Sequence, residues 1–254
     1  ISDKGTHKAV EQVQAYMRAC KRNHGDFWIL KCDIKKYFYN IDPYILYDIM
    51  QKYIKDKALL EFTHLLIFDK NHAEKNQVGI PIGNYTSQFF ANIYLNELDQ
   101  YVKRVLKIKY YVRYMDDFIL ILHTKDECKD VKNKIETFLH EKLKLELNHK
   151  SRYYPHKMGV NFCGYRTFCT HRLLRNSSKI KIKNKVKKWN KQYRNNSINF
   201  PYVIQSLNSW IGHCSHCNSY TLKKKILNSC EFLYNDLAYK HIEENVYEDS
   251  RNYL

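Results

Sequence analysis

Tyr110-Tyr111-Val112-Arg113-Tyr114-Met115-Asp116-Asp117-Phe118-Ile119-Leu120-Ile121 is the stretch that decides the fold. Apolar β-formers stand on both sides of two adjacent acids, which predicts a β-hairpin whose turn carries the acids. Charged side chains are almost never buried unpaired, and neighbouring carboxylates repel each other unless a cation lies between them. The pattern therefore favours a divalent metal site, since Mg²⁺ binds through one or two carboxylates plus substrate phosphates. Asp is also common in turns, so a polar hairpin turn stays open as the alternative.

A third acid, Asp33, ends the apolar run 28–34 and predicts a second strand end that carries a carboxylate. If this strand neighbours the hairpin in one sheet, all three carboxylates converge on one edge. Such a cluster suits a pair of metal ions ~3.5–4 Å apart, the arrangement used for in-line phosphoryl transfer. Phe38 follows Asp33 closely, and its ring beside a metal-bound triphosphate would clash with a ribose 2′-hydroxyl. For Tyr37 and Phe38 taken alone, packing in the core is the better interpretation.

Five segments, in this order, resemble motifs of one family. They are Asp33–Phe38 (motif A), Gly79–Gln88 (motif B), Tyr114–Asp117 (motif C), Leu145–Lys150 (motif D) and Phe162–Tyr165 (motif E, the primer grip). Together they lie within residues 28–166, and the chain is identified by them as a member of the reverse transcriptases. The resemblance implies an RNA-directed DNA polymerase, in which a primer 3′-hydroxyl attacks the α-phosphate of a dNTP.

Motif B indicates a type within this family. Group II intron and many retroviral enzymes carry Gln where this chain has Ile82. The run Ile82-Gly83-Asn84 with Ser87-Gln88 is similar to the enzymes of diversity-generating retroelements, as are 90–99 and 170–175. Ile offers contact area but no hydrogen bond, and a site that loses a polar check discriminates less well. We therefore expect low fidelity of DNA synthesis. The resemblance further implies that errors concentrate opposite template adenine.

The resemblance also implies residue roles. Asp33 and Asp116 would bridge two Mg²⁺ ions, for which Mn²⁺ can substitute; Asp117 would be a weaker ligand, and the Ile34 carbonyl would complete the nucleotide-side metal. The dNTP-binding set would be Ile34, Lys35, Lys36, Tyr37, Phe38, Ile82, Gly83 and Lys150. Lys150 would protonate or bind the leaving pyrophosphate, with an ordinary surface lysine as the open alternative. The primer and template would contact Pro81, Ser87, Gln88, Tyr114, Met115, Phe162, Cys163, Gly164 and Tyr165.

Periodicity predicts the element order. Helices are expected at 5–24, at 43–68 in two pieces broken near 55–57, at 87–105 and at 126–141, with the buried stripe of the 87–105 helix running from Phe90 to Val105. Strands are expected at 27–34, on both sides of Asp116 and at 143–147, with a loop at 69–84. The palm order strand, helix, strand, strand, helix, strand predicts an α+β fold of split βαβ, ferredoxin-like type, with helices on one face of an antiparallel sheet and the other face free for nucleic acid.

By resemblance, this is the palm of a right-hand polymerase. Residues 1–26 would be partial fingers, 27–166 the palm with a fingers-like insertion at about 43–78, and 167–254 a basic helical thumb. The thumb helices are expected at 179–193, 200–213 and 221–244, with Trp189, Trp210 and Leu233 in their core. Most fingers strands are expected to be absent, because only Lys4 and Lys8 stand near the place of the basic residues that clamp the triphosphate. Their absence puts the activity of this chain in doubt.

The net charge of +17 is concentrated in one stretch. Residues 147–230 hold 17 Lys and Arg and no Asp or Glu, which equals the whole excess. A block this one-sided predicts a polyanion partner, and interleaved aromatics such as Trp189 and Tyr193 could stack on bases. A solvated basic face or an anionic membrane patch is the alternative. Beside a polymerase-like palm, we expect an RNA template and primer and an RNA/cDNA duplex as partners.

Other features restrict the class of protein. No run of 18 or more apolar residues predicts a membrane span, and the eight cysteines lack a disulfide-scaffold spacing, which favours a reducing cytoplasm, bacterial or phage-encoded by resemblance. His213, Cys214, His216 and Cys217 could bind zinc, but structural sites usually draw ligands from two separated pairs. The resemblance also implies a small basic accessory protein as a partner. Rival classes are intron, retron or phage-defence reverse transcriptases, a non-catalytic RNA-binding scaffold, and a nuclease or cyclase.

Overall fold

The computed structural model describes residues 4–68, 78–80 and 85–233. The chain divides into two compact units, Ile1–Met158 and Gly159–Leu254. The acids of the sequence-predicted site lie in the first unit, and the motif E segment lies in the second. The predicted limits of fingers, palm and thumb stay predictions.

The first unit is built on a four-stranded antiparallel sheet in the order β2-β3-β1-β4. Its strands are β1 Trp28–Asp33, β2 Tyr111–Tyr114, β3 Asp117–Leu122 and β4 Arg152–Pro155. The predicted palm order is confirmed, but the last strand is not at 143–147. That segment contributes only a single bridge, from Leu147 to Ile34, because Lys144 ends the preceding helix in a left-handed conformation and turns the chain away.

The described residues of this unit form five α-helices, and local side chains explain where several of them begin. They are α1 Thr6–His24, α2 Pro43–Tyr53, α3 Lys57–Ile67, α4 Tyr85–Gln100 and α5 Lys125–Leu143. The carboxylate of Asp42 accepts hydrogen bonds from the first turn of α2, Asp56 caps α3, and Thr124 caps α5. Each such cap stabilises a helix by about 1 kcal/mol. The predicted break between α2 and α3 is confirmed.

The main core lies between one face of the sheet and helices α4 and α5. Leu30 and Cys32 of β1 pack there together with Leu98 and Leu139 from the two helices. The opposite face carries Asp33 and Asp117, and on it Ile29, Ile119 and Ile121 are also buried. Helix α1 packs against β2 and β3. The expectation of a free second face is therefore wrong away from the acids, because the strands there are apolar on both faces.

Helix α4 continues into a π-helical turn, Tyr101–Val105. A π-helical turn places one extra residue in the helical repeat and so changes which side chains face inward. Val102 is fully buried as a result, whereas Val105 is 64% exposed. The predicted inward position of Val105 is wrong for this reason.

Between Gly159 and Leu233, the second unit combines a small sheet with three α-helices. Its elements are β5 Val160–Phe162, β6 Tyr165–Thr167, β7 Arg172–Leu174, α6 Asn176–Arg194, α7 Phe200–Cys214 and α8 Tyr220–Leu227. Trp189, Trp210 and Leu233 are buried, as predicted. The third helix ends at Leu227, and a separate 3-10 turn follows at Glu231–Leu233; the rest of the predicted helix lies outside the described residues. No helix in the described ranges is long and apolar enough to cross a membrane.

Candidate active site

The three acids meet where the two central strands of the sheet lie side by side. Asp33, the last residue of β1, pairs directly with Asp117, the first residue of β3. Asp116 occupies the two-residue turn between β2 and β3, next to Met115, whose φ of 57° is a left-handed conformation rare for a side chain of this kind. The convergence expected from sequence is therefore present, across a large separation in the chain.

The protein holds these acids at a cost in electrostatic energy. Burial raises the pKa of Asp116, and the charge of Asp33 adds to the increase. Burial also raises the pKa of Asp117, helped by Asp33 and Asp116 and opposed by Lys31. Lys31 Nζ donates to Asp117 Oδ2 over 2.6 Å, so a lysine of the neighbouring strand supplies the countercharge.

Asp33 is held by a different set of contacts, from the segment after α5. Asn148 Nδ2 donates to Asp33 Oδ2 over 3.0 Å, and the Asn148 amide donates to the Asp33 carbonyl over 2.7 Å. Ser151 Oγ accepts from the Asp33 amide and donates to the Asp33 carbonyl. The end of β1 is thus tied to residues 146–151 although no regular strand forms there.

The oxygens available here suit a hard divalent cation. Asp117 Oδ1 is buried and accepts no hydrogen bond from any described residue. A cation stabilises neighbouring carboxylates because it offsets the repulsion between their charges. Within the described ranges, no three Asp, Glu, His or Cys side chains are gathered closely enough to hold an ion. One oxygen of Asp117 accepts from Lys31, and one oxygen of Asp33 accepts from Asn148.

A buried arginine supports the turn that carries Asp116. Arg113 forms a two-pronged ion pair with Asp99 of α4, Nε to Oδ1 at 2.8 Å and Nη2 to Oδ2 at 2.6 Å. Arg113 Nη1 donates to the Met115 carbonyl over 2.9 Å and to Asn92 Oδ1 over 3.3 Å. The Tyr111 hydroxyl donates to Asp99 Oδ1 over 2.7 Å.

The predicted nucleotide-binding residues have mixed surroundings. Lys35, Lys36 and Lys150 are exposed, and Lys35 pairs with Glu146. Tyr37 is buried and its hydroxyl donates to the Ala91 carbonyl, so its side chain belongs to the core, as does that of Ile34. Core packing, the interpretation favoured for Tyr37 taken alone, is confirmed, and a part for its backbone in nucleotide binding stays a prediction. Phe38 is half-buried and packs against the core.

Motif B lies partly outside the described residues, namely at Pro81, Ile82 and Gly83. Gly79 has a φ of +114°, and a Cβ there would lie 3.0 Å from the Tyr39 carbonyl oxygen. The backbone of motif B therefore packs directly on that of motif A, an approach that only glycine permits. Of the predicted primer or template contacts, Ser87 is buried, while Gln88 is exposed and Tyr114 is 37% exposed.

The motif E segment lies in the second unit, with two of its side chains in the core. Phe162 and Tyr165 are buried at 2% and 1% exposure, because alternate residues of β5 and β6 face the core. The turn Cys163-Gly164 is less buried, and a contact of this segment with the primer end stays a prediction. The Tyr165 hydroxyl bonds to the Nδ1 and the carbonyl of His213.

The residues considered as possible zinc ligands contact neighbouring protein groups. Cys214 and Cys217 are buried, and Cys217 Sγ donates to the Cys214 carbonyl, while His213 contacts Tyr165. In the part of the chain that the structure describes, no three possible ligands come together here.

A groove of about 1320 Å³ lies beside the hairpin turn in the first unit. Residues of helices α1, α2, α3 and α4 line it, together with Tyr114 and Met115 of the hairpin. Its lining combines lysines with aromatic rings, namely Lys4, Lys8, Lys103, Tyr53, Phe62 and Phe89.

Sequence reasoning missed four residues of this site: Lys31, Asn148, Ser151 and Arg113. A signal existed for the two basic ones, since residues two apart in a strand share a face. Lys31 stands two positions before Asp33, and Arg113 two positions before Met115. For Asn148 and Ser151 the local pattern carried no signal.

An antiparallel sheet in this order, with paired acids at the junction of its central strands, defines the palm of a right-hand polymerase. The profile of the family "Reverse transcriptase (RNA-dependent DNA polymerase)" matches residues 2–167, and the chain belongs to this family.

Relatives and solved structures agree with this assignment. A putative COX1/OXI3 intron 2 protein of Saccharomyces cerevisiae is 26% identical over 62% of this chain and 25% of its own length. The group II intron-encoded protein LtrA of Lactococcus lactis is 26% identical over 68% of this chain and 39% of its own length. Apo telomerase of Candida tropicalis superposes with a TM-score of 0.53 at 15% identity, covering 98% of this chain and 45% of telomerase. The same telomerase in complex with a TWJ fragment of telomeric RNA gives 0.52 at 13% identity, covering 96% and 53%. These likenesses show the right-hand polymerase fold.

Proposed function

We propose that this chain carries the catalytic palm of an RNA-directed DNA polymerase. The observation that carries the proposal is the direct pairing of Asp33 with Asp117, with Asp116 in the adjoining turn, inside a region that matches the family. The chain spans only 25% to 39% of the length of these curated relatives, so the activity is proposed for the polymerase of which this region is the centre.

Asp33, Asp116 and Asp117 would hold two divalent ions, Mg²⁺ by the preference of carboxylate oxygens, with Mn²⁺ as substitute. When bound, such ions lower the pKa of a primer 3′-hydroxyl and neutralise triphosphate charge. The chain's own residues prepare the site. Lys31 opposes the increase in the pKa of Asp117 and so favours its ionised form, and Asn148 orients Asp33 through Oδ2.

Nucleic acid would bind through charge and stacking. The groove beside Tyr114 offers lysines and aromatic rings, a combination that suits a phosphate backbone with bases stacked on side chains. The basic stretch 147–230 adds a wide electrostatic attraction. A telomerase of the same fold was solved with RNA, which supports an RNA template as the partner. Phe38, which follows Asp33 closely in motif A, supports dNTPs as substrates through the resemblance.

The group II intron type is the favoured origin, because both curated relatives are intron proteins by name. A diversity-generating retroelement is the second candidate, and Ile82 is the residue that favours it. The test is Ile82→Gln with misincorporation scored per template base; a lower error rate in the variant supports the retroelement type, and an unchanged rate supports the intron type. A small basic accessory protein and a reducing compartment belong to this proposal as well, and no disulfide joins any of the eight cysteines, all of which lie in the described residues.

Primer extension on an RNA template tests the activity directly. We expect extension with dNTPs and not with rNTPs, in the presence of Mg²⁺, and none with Asp116→Ala/Asp117→Ala. Tight RNA binding without extension by the unmutated chain would contradict the proposed activity for this region alone. Extension that survives in the double variant would contradict the assignment of the acids.

A further inference from the structure

The turn that carries Asp116 has an unusual backbone. Met115 adopts a φ of +57°, and a non-glycine residue in a sparsely populated region of this kind costs of order 1 kcal/mol or more unless the surroundings fix it. The carbonyl of Met115 accepts the Nη1 hydrogen bond of Arg113 at 2.9 Å. Arg113 is therefore the group that contacts the strained residue next to the acid.

Arg113 itself is fixed by a rigid partner. Its side chain is only 11% exposed and makes four hydrogen bonds, two of them to the carboxylate of Asp99. The planar guanidinium matches a carboxylate with two parallel bonds, which the point charge of a lysine cannot reproduce. Asp99 lies in the last turn of α4, directly before the π-helical turn Tyr101–Val105, and π-helical turns occur frequently at functional sites.

Stability does not explain this pair. Burying two charges costs several kcal/mol per ion, and replacement of a buried pair by apolar residues is often neutral or stabilising. The pair does, however, connect three elements: helix α4, strand β2 and the turn between β2 and β3. We therefore attribute the four hydrogen bonds of the guanidinium to holding these three elements in a fixed relative position.

We propose that Arg113 and Asp99 are positioning residues that fix the Met115–Asp116 turn against helix α4 and thereby set the place of the Asp116 carboxylate. The inference rests on the proposed polymerase function. Both side chains also line the groove beside the turn, and in this inference they act on the site through Met115. The site requires these two residues to hold the backbone of the turn in place, and the charge of the pair is not itself required.

The test compares Arg113→Lys and Asp99→Asn with Tyr111→Phe. Tyr111→Phe is the matched control, because it removes a buried hydrogen bond to Asp99 but keeps the Arg113–Met115 contact. In the full chain labelled with methyl-¹³C methionine, four methyl signals are present, and Met115→Leu assigns the relevant one. We expect this signal to shift in Arg113→Lys and Asp99→Asn and to stay in place in Tyr111→Phe, although all three lower the melting temperature.

Primer extension gives the second readout. We expect kcat to fall at least tenfold in Arg113→Lys and Asp99→Asn, with KM for the dNTP within twofold, and both constants to stay within twofold in Tyr111→Phe. A Met115 signal that does not move in Arg113→Lys, or losses of kcat that follow the melting temperature in all three variants, would overturn the inference. If the unmutated chain does not extend a primer, the proposed activity fails for this region alone, and the Met115 signal still decides the positioning role.

Discussion

Lys31 competes with any cation that binds Asp117, so its removal should tighten metal binding. Its ammonium lies 2.6 Å from Asp117 Oδ2, and the two side chains are 26% and 27% exposed. Unit charges 4 Å apart attract by about 1 kcal/mol in water and about 4 kcal/mol at an effective dielectric constant of 20. A pair exposed by a quarter falls between these limits, at about 2 kcal/mol.

A divalent ion that binds Asp117 has to displace Lys31 or bind beside its positive charge. In either case the binding free energy of the ion is reduced by part of the attraction between Lys31 and Asp117. We expect Lys31→Met to recover most of it and to lower the Kd for Mn²⁺ about tenfold, which corresponds to about 1.4 kcal/mol. The apolar methionine keeps the length of the stem while it removes the charge. The measurement is a titration followed by the electron paramagnetic resonance signal of free Mn²⁺, at a pH high enough to keep Asp117 ionised.

Two control variants separate the local effect from net charge. Lys31→Arg keeps the charge and should leave Kd within twofold of the parent. Lys134→Met removes a charge from an exposed pair with Asp130 on α5, and it should change Kd little. Equal tightening in Lys134→Met, or no change in Lys31→Met, would refute the competition between Lys31 and the metal.

Three further variants test the site and its supports. Burial raises the pKa of Asp116 in the folded state. The cost of its ionisation to folding therefore begins as the pH rises through the ordinary pKa of about 4 and is absent where both states are protonated. Asp116→Asn should be more stable than the parent at about pH 7, with the gain vanishing below about pH 4. Thermal melts across this range check it, and a gain that persists in acid would contradict the reasoning. Tyr94→Phe removes the buried bond from its hydroxyl to the Leu143 carbonyl at 2.7 Å and should lower the free energy of unfolding by about 1–2 kcal/mol in urea. Gly164→Ala should cost about 1 kcal/mol or more, since its φ is +89° and the new Cβ would lie 3.2 Å from the His213 ring. Gly212→Ala, which meets nothing within 4 Å in helix α7, should instead stabilise by up to about 1 kcal/mol, and equal losses in both would reject this account.

The sequence predicted what depends on regular periodicity. Residues 28–34 and the two apolar runs around Asp116 alternate or stay apolar over a whole strand, and the acids end up paired because antiparallel neighbours align strand ends. The inward stripe of α4 was predicted correctly only up to the π-helical turn, since no residue in 101–105 announces the change of repeat. In the segment 143–147, apolar and polar side chains alternate as in a strand, but its pairing with the described strands is limited to one bridge, from Leu147 to Ile34.

The supporting contacts of the site were less accessible to sequence reasoning. Asn148 and Ser151 are more than 100 positions from Asp33 in the sequence, and Asn and Ser are common in any polar turn. Phe162 and Tyr165 match motif E, but the motif alone does not tell which side of a three-residue strand faces the core. Lys31 and Arg113 were within reach of the period-two rule, and their charges near buried acids are the feature to look for.

Helix α6 buries a single narrow stripe, Ile182, Val186 and Trp189, and leaves its lysines on all the remaining sides. Lysines four positions apart repel each other, as at 179/183, 181/185, 183/187 and 187/191, and each such pair weakens a helix by roughly 0.2–0.5 kcal/mol. Added salt screens this repulsion, while it weakens the attraction of a basic surface to phosphates. Ionic strength should therefore act in opposite directions on this helix: the electrolyte that releases a nucleic acid from it also makes the bare helix more stable.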